Sequence, residues 1–159
     1  MTEALPPAVQ RVADAAVAGG LKIRIVRTET SARSAAEAAL AVGAEVGQIV
    51  KSLVFRGKDS ARPYLLLVSG ANRVEESAMT GALGEALERP DAAYVREATG
   101  FAIGGVAPLG ATGDLTVYMD EDLFRYATVW AAAGSPMHVF EVVPLQLRSV
   151  TGAKLGPVR

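Results

Sequence analysis

The sequence predicts an α+β fold in which a mixed β-sheet is flanked by helices. Apolar residues recur at helical spacing in some segments and alternate with polar residues in others. The two kinds of segment follow one another too irregularly for a doubly wound parallel sheet. Half of the 159 residues are hydrophobic, which is enough for one core. We therefore expect a single domain over residues 1–159.

The predicted helices are defined by apolar stripes and by the residues that end them. In residues 8–18, Val9, Val12 and Ala16 lie on one stripe, and a pair of glycines follows. Residues 31–42 are rich in alanine and are followed by a glycine at position 43. The other helices are predicted over residues 74–87 with glycine interruptions, 92–98, 120–126 and 144–150, the last starting with proline.

The predicted strands are short alternating or apolar segments bounded by turn residues. The second and third are joined by a turn at 57–62, and the last two form a hairpin across Gly134-Ser-Pro136. These strands span residues 21–26, 48–56, 63–69, 115–119, 128–132 and 138–143.

Composition excludes several kinds of site and of location. There is no cysteine and one histidine, so disulfides, thiolate nucleophiles and His/Cys zinc sites are absent, and we expect no metal and no cofactor. The net charge of −1 argues against a protein that coats duplex nucleic acid. Neither a run of about eighteen apolar residues nor a secretion signal is present, so we expect no membrane association and a cytoplasmic protein.

Common catalytic motifs are also missing. The sequence has no dinucleotide-binding Gly-x-Gly-x-x-Gly, no phosphate-binding Gly-Lys-Ser/Thr loop and no Gly-x-Ser-x-Gly. The histidine, His138, lies in an apolar strand, where a structural role is expected more often than that of a base.

A glycine-rich segment at residues 99–110 fits neither a helix nor an ordinary strand. It reads Thr-Gly-Phe-Ala-Ile-Gly-Gly-Val-Ala-Pro-Leu-Gly. Glycine serves where the backbone takes a positive φ or approaches another group closely. The pair Gly104–Gly105 therefore predicts backbone amides presented to a ligand, with a tight strand-to-turn connection as the alternative.

A lysine stands in the middle of the apolar segment Gln48-Ile-Val-Lys-Ser-Leu-Val-Phe55. Alternation places Lys51 on the same face as Ile49 and Leu53. Lysine is rarely buried without a partner. Lys51 is therefore either a strand residue whose amine reaches solvent or a cation at the floor of a pocket, where it meets a phosphate, carboxylate or hydroxyl.

Three segments together resemble a known family. They are residues 48–54 around Lys51, residues 99–110, and the stretch from Trp130-Ala-Ala-Ala-Gly-Ser-Pro136 to Thr151-Gly-Ala153. Their order and spacing are similar to those of the YbaK/ProX family of free-standing aminoacyl-tRNA deacylases, which are related to the editing insertion of bacterial prolyl-tRNA synthetases. The resemblance covers about residues 20–156 and implies a compact domain with a mixed, partly closed sheet and surrounding helices.

The resemblance implies hydrolysis of the ester that joins a wrong amino acid to the 3′-terminal adenosine of tRNA. Lys51 would anchor the adenosine or other polar groups of the substrate, and the amides of Gly104 and Gly105 would bind the carbonyl oxygen. A water molecule or the vicinal ribose hydroxyl would complete the reaction. Positioning and electrostatics are sufficient for so labile an ester. The implied partners are the acceptor end of tRNA and a tRNA synthetase.

Further pocket residues follow from the same resemblance. Asp120, which ends a predicted strand, is equally well explained as a helix cap. The residues expected to contact substrate are Ser52, Ser69, Gly70, Ser31, Ser34 and Asp120.

The sequence departs from the specialised branches of the family. Residues 137–140 lack the aspartate of the branch that removes cysteine, residues 23–27 lack its tyrosine, and residues 134–136 lack the His-Pro of the alanine branch. Small amino acids such as alanine or serine are therefore the expected substrates. Two other classes stay open: a module of the same fold that binds tRNA or aminoacyl-adenosine without turnover, and a structural domain in which Lys51 only reaches solvent.

Overall fold

The computed structural model describes residues 4–159, so that the first three residues of the predicted domain lie outside the described part. The strands are β1 (Ile25–Arg27), β2 (Ile49–Gly57), β3 (Pro63–Ser69), β4 (Leu87–Glu88), β5 (Thr116–Asp120), β6 (Val129–Ser135), β7 (His138–Val142) and β8 (Lys154–Gly156). The α-helices are α1 (Pro7–Ala18), α2 (Ala35–Val42), α3 (Glu76–Leu83), α4 (Ala92–Thr99) and α5 (Pro144–Thr151).

The strands of the described chain form one mixed sheet. Its order is β1-β7-β6-β2-β3-β5-β8, and β4 pairs with β2. β2 runs antiparallel to β3 over most of its length but parallel to β6, while β3, β5 and β8 are parallel to one another. This arrangement confirms the predicted α+β fold with a mixed sheet and flanking helices.

Residues on the two faces of β2 pack into different cores, as the alternation predicts. Val50 and Val54 pack in the largest cluster, together with Leu67, Met119 and Phe140. On the other face, Ile49 packs against alanines of α2, and Leu53 packs against a second cluster.

Several predicted boundaries need correction. The first strand begins at Ile25 rather than at residue 21. The helix predicted from residue 31 begins at Ala35, because Ser34 caps it: its Oγ accepts the Glu37 N–H at 3.1 Å, and the Glu37 carboxylate accepts the Ser34 N–H. α3 ends at Leu83 because Gly84 takes a left-handed conformation, so the helix predicted over 74–87 stops early and Leu87 lies in β4.

Two further segments differ in kind from the prediction. Residues 121–125 form a 3₁₀ helix, and not an α-helix, after Asp120. The strand β8 was not predicted; it has three residues, which is too short for an alternation to be recognised. Within residues 4–159 no helix is long and apolar enough to cross a membrane.

A buried carboxylate fixes the turn between β2 and β3. Glu85 accepts hydrogen bonds from the Tyr64 hydroxyl at 2.6 Å, the Ser60 hydroxyl at 2.7 Å, and the N–H groups of Asp59 and Ser60 at 3.0 Å. The Tyr64 hydroxyl, followed by the donors of Ser60, lowers the pKa of Glu85 to about 2. The carboxylate form is therefore favoured by folding.

We expect Glu85→Gln to lower the melting temperature in a pH-dependent way. An amide offers one acceptor oxygen and turns N–H donors toward the other partners. Because the folded-state pKa is depressed from 4.5 to about 2, the contribution of the ionised form is present above pH 4.5 and is lost as the pH falls through 2. Thermal unfolding of both proteins between pH 7 and pH 2.5 should show the deficit shrinking at low pH.

The control for this prediction is Glu88→Gln, which removes an exposed ion pair with Arg56 at 3.5 Å. Exposed ion pairs contribute little to the free energy of unfolding, so the melting temperature of this variant should be close to that of the wild type. A Glu85→Gln deficit of the same size at every pH would contradict the role assigned to the carboxylate.

Candidate active site

A gap in the sheet lies along one edge of β2. On that edge β2 pairs with β6 only through Ile49 and Val50, and with β4 only through Arg56 and Gly57. Within residues 4–159, residues 51–55 have no strand partner on that edge. The opposite edge of β2 is paired with β3 throughout this stretch. The sheet is thus split beside the strand that carries Lys51.

A cavity of about 780 Å³ occupies this gap, a size typical of sites that hold small molecules. Its walls come from both faces of β2, from the start of α2, from the glycine-rich loop and from β6. Most lining side chains are apolar, and several are alanines. The lining residues include Ser34, Lys51, Ser52, Val54 and Gly104.

Lys51 lines the cavity, and its side chain is hydrogen-bonded to the loop that contains Asn72. Its Nζ donates a short hydrogen bond to the Asn72 carbonyl oxygen. Burial lowers the pKa of Lys51 from 10.5, and repulsion from Arg73 lowers it further, while Asp120 opposes the shift. Among the described residues only Asn72 accepts from this ammonium, which has three donors. A partly buried cation with unused donors is suited to an anionic or oxyanionic ligand.

A buried network holds the loop that supports Lys51. One Asp120 oxygen accepts from the Ser69 N–H at 3.0 Å and from the Asn72 side-chain amide at 2.8 Å. The other accepts from the Asp122 N–H at 2.9 Å, which makes Asp120 the cap of the 3₁₀ helix as well. Asp120 is 1% exposed. Sequence analysis missed Asn72, because no local pattern marks it and its role depends on the approach of β5 to β3.

The glycine-rich loop brings Gly104 to the cavity. Gly104 has φ +94°, a conformation that favours glycine. Its N–H makes no hydrogen bond to any residue in the described part of the chain, whereas the Gly105 N–H donates to the Ala102 carbonyl at 3.0 Å. Of the two amides predicted to face a ligand, that of Gly105 is therefore already engaged in a turn, and Gly105 does not line the cavity.

Gly105 has a different function in the structure. A Cβ at this position would lie 2.8 Å from the Ser135 Cα and 3.0 Å from the Gly134 carbonyl carbon. Only glycine lets the loop lie this close to the end of β6. Gly105 thus sets the position from which Gly104 faces the cavity.

Arg11 of α1 fastens both ends of the loop, which sequence analysis did not foresee. Its guanidinium donates to the Gly100 carbonyl at 2.8 Å and to the Gly110 carbonyl at 3.2 Å. It also lies over the Phe101 ring, 4.9 Å from the centroid. These partners are about ninety or more residues away in sequence, so no local signal indicates them.

The other predicted contact residues are divided between the cavity and its surroundings. Ser52 and Ser34 line the cavity, although the Ser34 hydroxyl is engaged in capping α2. The structure does not bring Ser69, Gly70 or Ser31 to its wall. Ser69 donates to the Gly47 carbonyl at 2.8 Å, and Gly70 leaves no room for a Cβ beside the Val46 carbonyl.

Among the buried side-chain atoms of residues 4–159, two hydroxyl oxygens have no hydrogen-bond partner, namely those of Ser52 and Ser31. Both are buried. Buried polar groups are normally paired, so an unpaired hydroxyl on a cavity wall, such as that of Ser52, points to a ligand.

Cations dominate the charge of the cavity. Arg33, Lys51 and Arg89 line it, and none of the acidic residues in the described chain does. Arg33 packs beside Gly104 and has no ion pair within residues 4–159. Arg89 has one exposed ion pair with Glu76 at 3.7 Å.

His138 lies outside the cavity wall. Its Nδ1 forms a hydrogen bond of 2.6 Å with the Ser135 hydroxyl across the β6–β7 hairpin. Burial and the charge of Arg27 lower its pKa. The histidine has a structural partner, as the sequence analysis expected.

Comparison with known proteins identifies the family. Residues 29–150 match the model of the aminoacyl-tRNA editing domain. The matched range includes Lys51, Gly104 and residues 51–55, which border the gap in the sheet. The chain belongs to the aminoacyl-tRNA editing domain family.

Individual relatives agree with this assignment. A crystal structure of a candidate trans-editing enzyme for prolyl tRNA synthetase superposes with a TM-score of 0.91 at 46% identity, covering 98% of this chain and 99% of that one. The uncharacterized protein YwhH of Bacillus subtilis is 31% identical over 82% of this chain and 83% of its own length. The candidate Cys-tRNA(Pro)/Cys-tRNA(Cys) deacylase EbsC of Enterococcus faecalis is 26% identical over 80% and 76%.

Proposed function

We propose that the protein is a trans-acting aminoacyl-tRNA deacylase, which hydrolyses the ester of a mischarged small amino acid at the 3′ end of tRNA. The observation that carries the proposal is that Lys51 and Gly104, whose N–H has no hydrogen-bond partner within residues 4–159, line one cavity in a chain of the editing-domain family. These are a cationic donor and a backbone donor, which suit the anchoring of a substrate and the binding of a carbonyl oxygen.

The proposed reaction needs no nucleophilic side chain. The oxygen of a water molecule adds to the ester carbonyl carbon, and the bond from that carbon to the ribose oxygen breaks. One water proton ends on the ribose oxygen, and the other leaves with the carboxyl group of the amino acid. The Gly104 N–H stabilises the negative charge that develops on the carbonyl oxygen. Lys51 holds the adenosine end, which places the ester against that donor.

The walls of the cavity suit an uncharged side chain on the substrate. Alanines at positions 32, 35, 38, 131 and 132 line it together with valines. A pocket of this kind discriminates one methylene group by only about 1–3 kcal/mol. Alanine and serine are therefore proposed as neighbouring substrates with a modest difference in rate.

The proposed partner is the acceptor end of tRNA. Arg33 and Arg89 place positive charge at the cavity beside Lys51, and positive charge attracts the phosphates of an RNA 3′ strand. Since a structural neighbour is a candidate trans-editing enzyme for prolyl tRNA synthetase, tRNA delivered by a synthetase is the proposed source of substrate.

The proposal is tested with a panel of tRNAs charged with alanine, serine, threonine, cysteine and proline. We expect the esters of alanine or serine to be hydrolysed fastest, because the apolar wall accepts uncharged side chains and the departures from the specialised branches favour small ones. Rates are measured by loss of the aminoacyl label from tRNA with and without protein. Preferential hydrolysis of the proline or threonine ester would contradict the proposed substrate class.

The second candidate is a module that binds the aminoacyl end without turnover. It is favoured by the absence of a side-chain general base among the lining residues of the described cavity. It predicts retention of charged tRNA with an unchanged rate of ester loss.

A further inference from the structure

The open edge of β2 directs backbone groups into the gap. The Ile49 carbonyl accepts from the Gly70 N–H at 2.7 Å, and the Gly57 N–H donates to the Arg62 carbonyl at 2.9 Å, both on the β3 side. Backbone groups of successive strand residues point to opposite edges. The odd-numbered residues of β2 therefore face β3, and the N–H and C=O groups of Ser52 and Val54 face the gap.

These groups have no strand to pair with. The pairing with β6 ends at Val50 and the pairing with β4 begins at Arg56. An unpaired strand edge is a row of donors and acceptors ready for a partner. Because the gap is closed at both ends, it has room for a short polar group rather than for an added strand.

The chemistry of the cavity limits what that group is. An aminoacyl ester carries an α-ammonium group, but the lining residues that the structure describes include three cations and no carboxylate to receive it. The Ser34 hydroxyl is already engaged with the Glu37 N–H. The free acceptors on β2 are the carbonyls of Ser52 and Val54, together with the buried, unpaired Ser52 hydroxyl.

We infer that the open edge of β2 binds the α-ammonium group of the aminoacyl substrate through the carbonyl oxygens of Ser52 and Val54, with the Ser52 hydroxyl as a third acceptor. This inference rests on the proposed function and deepens it. Recognition by backbone acceptors is independent of the amino acid side chain. The edge thus selects α-amino acids as a class, and the walls of the cavity choose among them.

The test uses hydrolysis-resistant amides of 3′-amino-3′-deoxyadenosine. The alanyl and seryl amides carry the α-ammonium group; the lactoyl amide replaces it with a hydroxyl, and the propionyl amide removes it. We expect the alanyl or seryl amide to bind at least about tenfold more tightly than both replacements, since hydrogen bonds to a charged group are the stronger ones. Binding is measured by calorimetry.

A carbonyl ¹³C spectrum locates the contact. The signals of Ser52 and Val54 should shift with the alanyl or seryl amide and stay in place with the propionyl amide. The carbonyl of Leu147 in α5, which does not line the cavity, serves as the control. Equal affinity for the alanyl, lactoyl and propionyl amides, unmoved Ser52 and Val54 signals, or no binding of either aminoacyl amide would overturn the inference.

Failure of the inferred ammonium site can be distinguished from failure of the proposed deacylase function. If charged tRNA is hydrolysed but the propionyl amide binds as tightly as the alanyl amide, the edge does not bind the ammonium and the deacylase proposal stands. If the ¹³C shifts occur but charged tRNA is never hydrolysed, the binding site stands and the deacylase proposal fails.

Discussion

Replacing Lys51 with alanine is expected to reduce deacylation by about 100-fold or more, the size of effect seen when a substrate is misplaced by about 1 Å from the reacting position. Lys51 lines the cavity, and its ammonium donates to the Asn72 carbonyl. The substitution removes the cation that we propose positions the substrate. The effect should appear in single-turnover rates with the best tRNA of the panel, and the far-ultraviolet circular dichroism should stay that of the wild type.

Lys58→Ala is the matched control for this variant. Lys58 is exposed in the turn after β2 and does not line the cavity. The same change in charge and length there should leave the rate within about twofold. A Lys51→Ala protein as active as Lys58→Ala would remove the lysine from the proposed site.

Gly105→Ala is expected to lower the deacylation rate by about 10- to 100-fold, although the substitution adds only a methyl group. Its Cβ would meet the backbone of Gly134 and Ser135 at 2.8–3.0 Å, and backbone atoms cannot turn away as a side chain can. The loop must move, and Gly104 moves with it. A shift of about 1 Å near a reacting group costs about 100-fold. Single-turnover rates measure the loss.

Gly81→Ala tests whether this effect belongs to the loop. Gly81 lies in α3, where an added Cβ meets nothing within 4 Å. Alanine there should stabilise the helix by about 1 kcal/mol and leave the rate unchanged. If Gly105→Ala also kept full activity, the close approach of the loop to β6 would not position Gly104.

The cavity residues that the sequence could predict are those whose residue type is unusual for their local sequence. Lys51 interrupts an apolar strand, and Gly104 stands in a segment too rich in glycine for a regular element. Both line the cavity. The capping box that begins α2 at Ser34 was also visible as Ser-Ala-Ala-Glu and would have corrected the helix boundary.

The missed features depend on contacts between distant parts of the chain. The gap beside Ser52 exists because β6, about eighty residues later, leaves β2 after two pairs. Asn72 supports Lys51 only because Asp120 approaches from β5. Gly105 lies where a ligand-binding amide was expected, but its N–H is engaged in a local turn and its missing side chain lets the loop meet β6. The glycine at position 105 could be recognised as unusual from the sequence, but its function follows only from its contacts in the fold.

The most direct test of deacylation is a multiple-turnover time course with the best charged tRNA in excess over the protein. A deacylase should release several equivalents of free amino acid for each protein molecule, with uncharged tRNA as the second product. Charged tRNA that binds to the protein while its ester decays at the rate seen in buffer alone would contradict the account and favour a binding module.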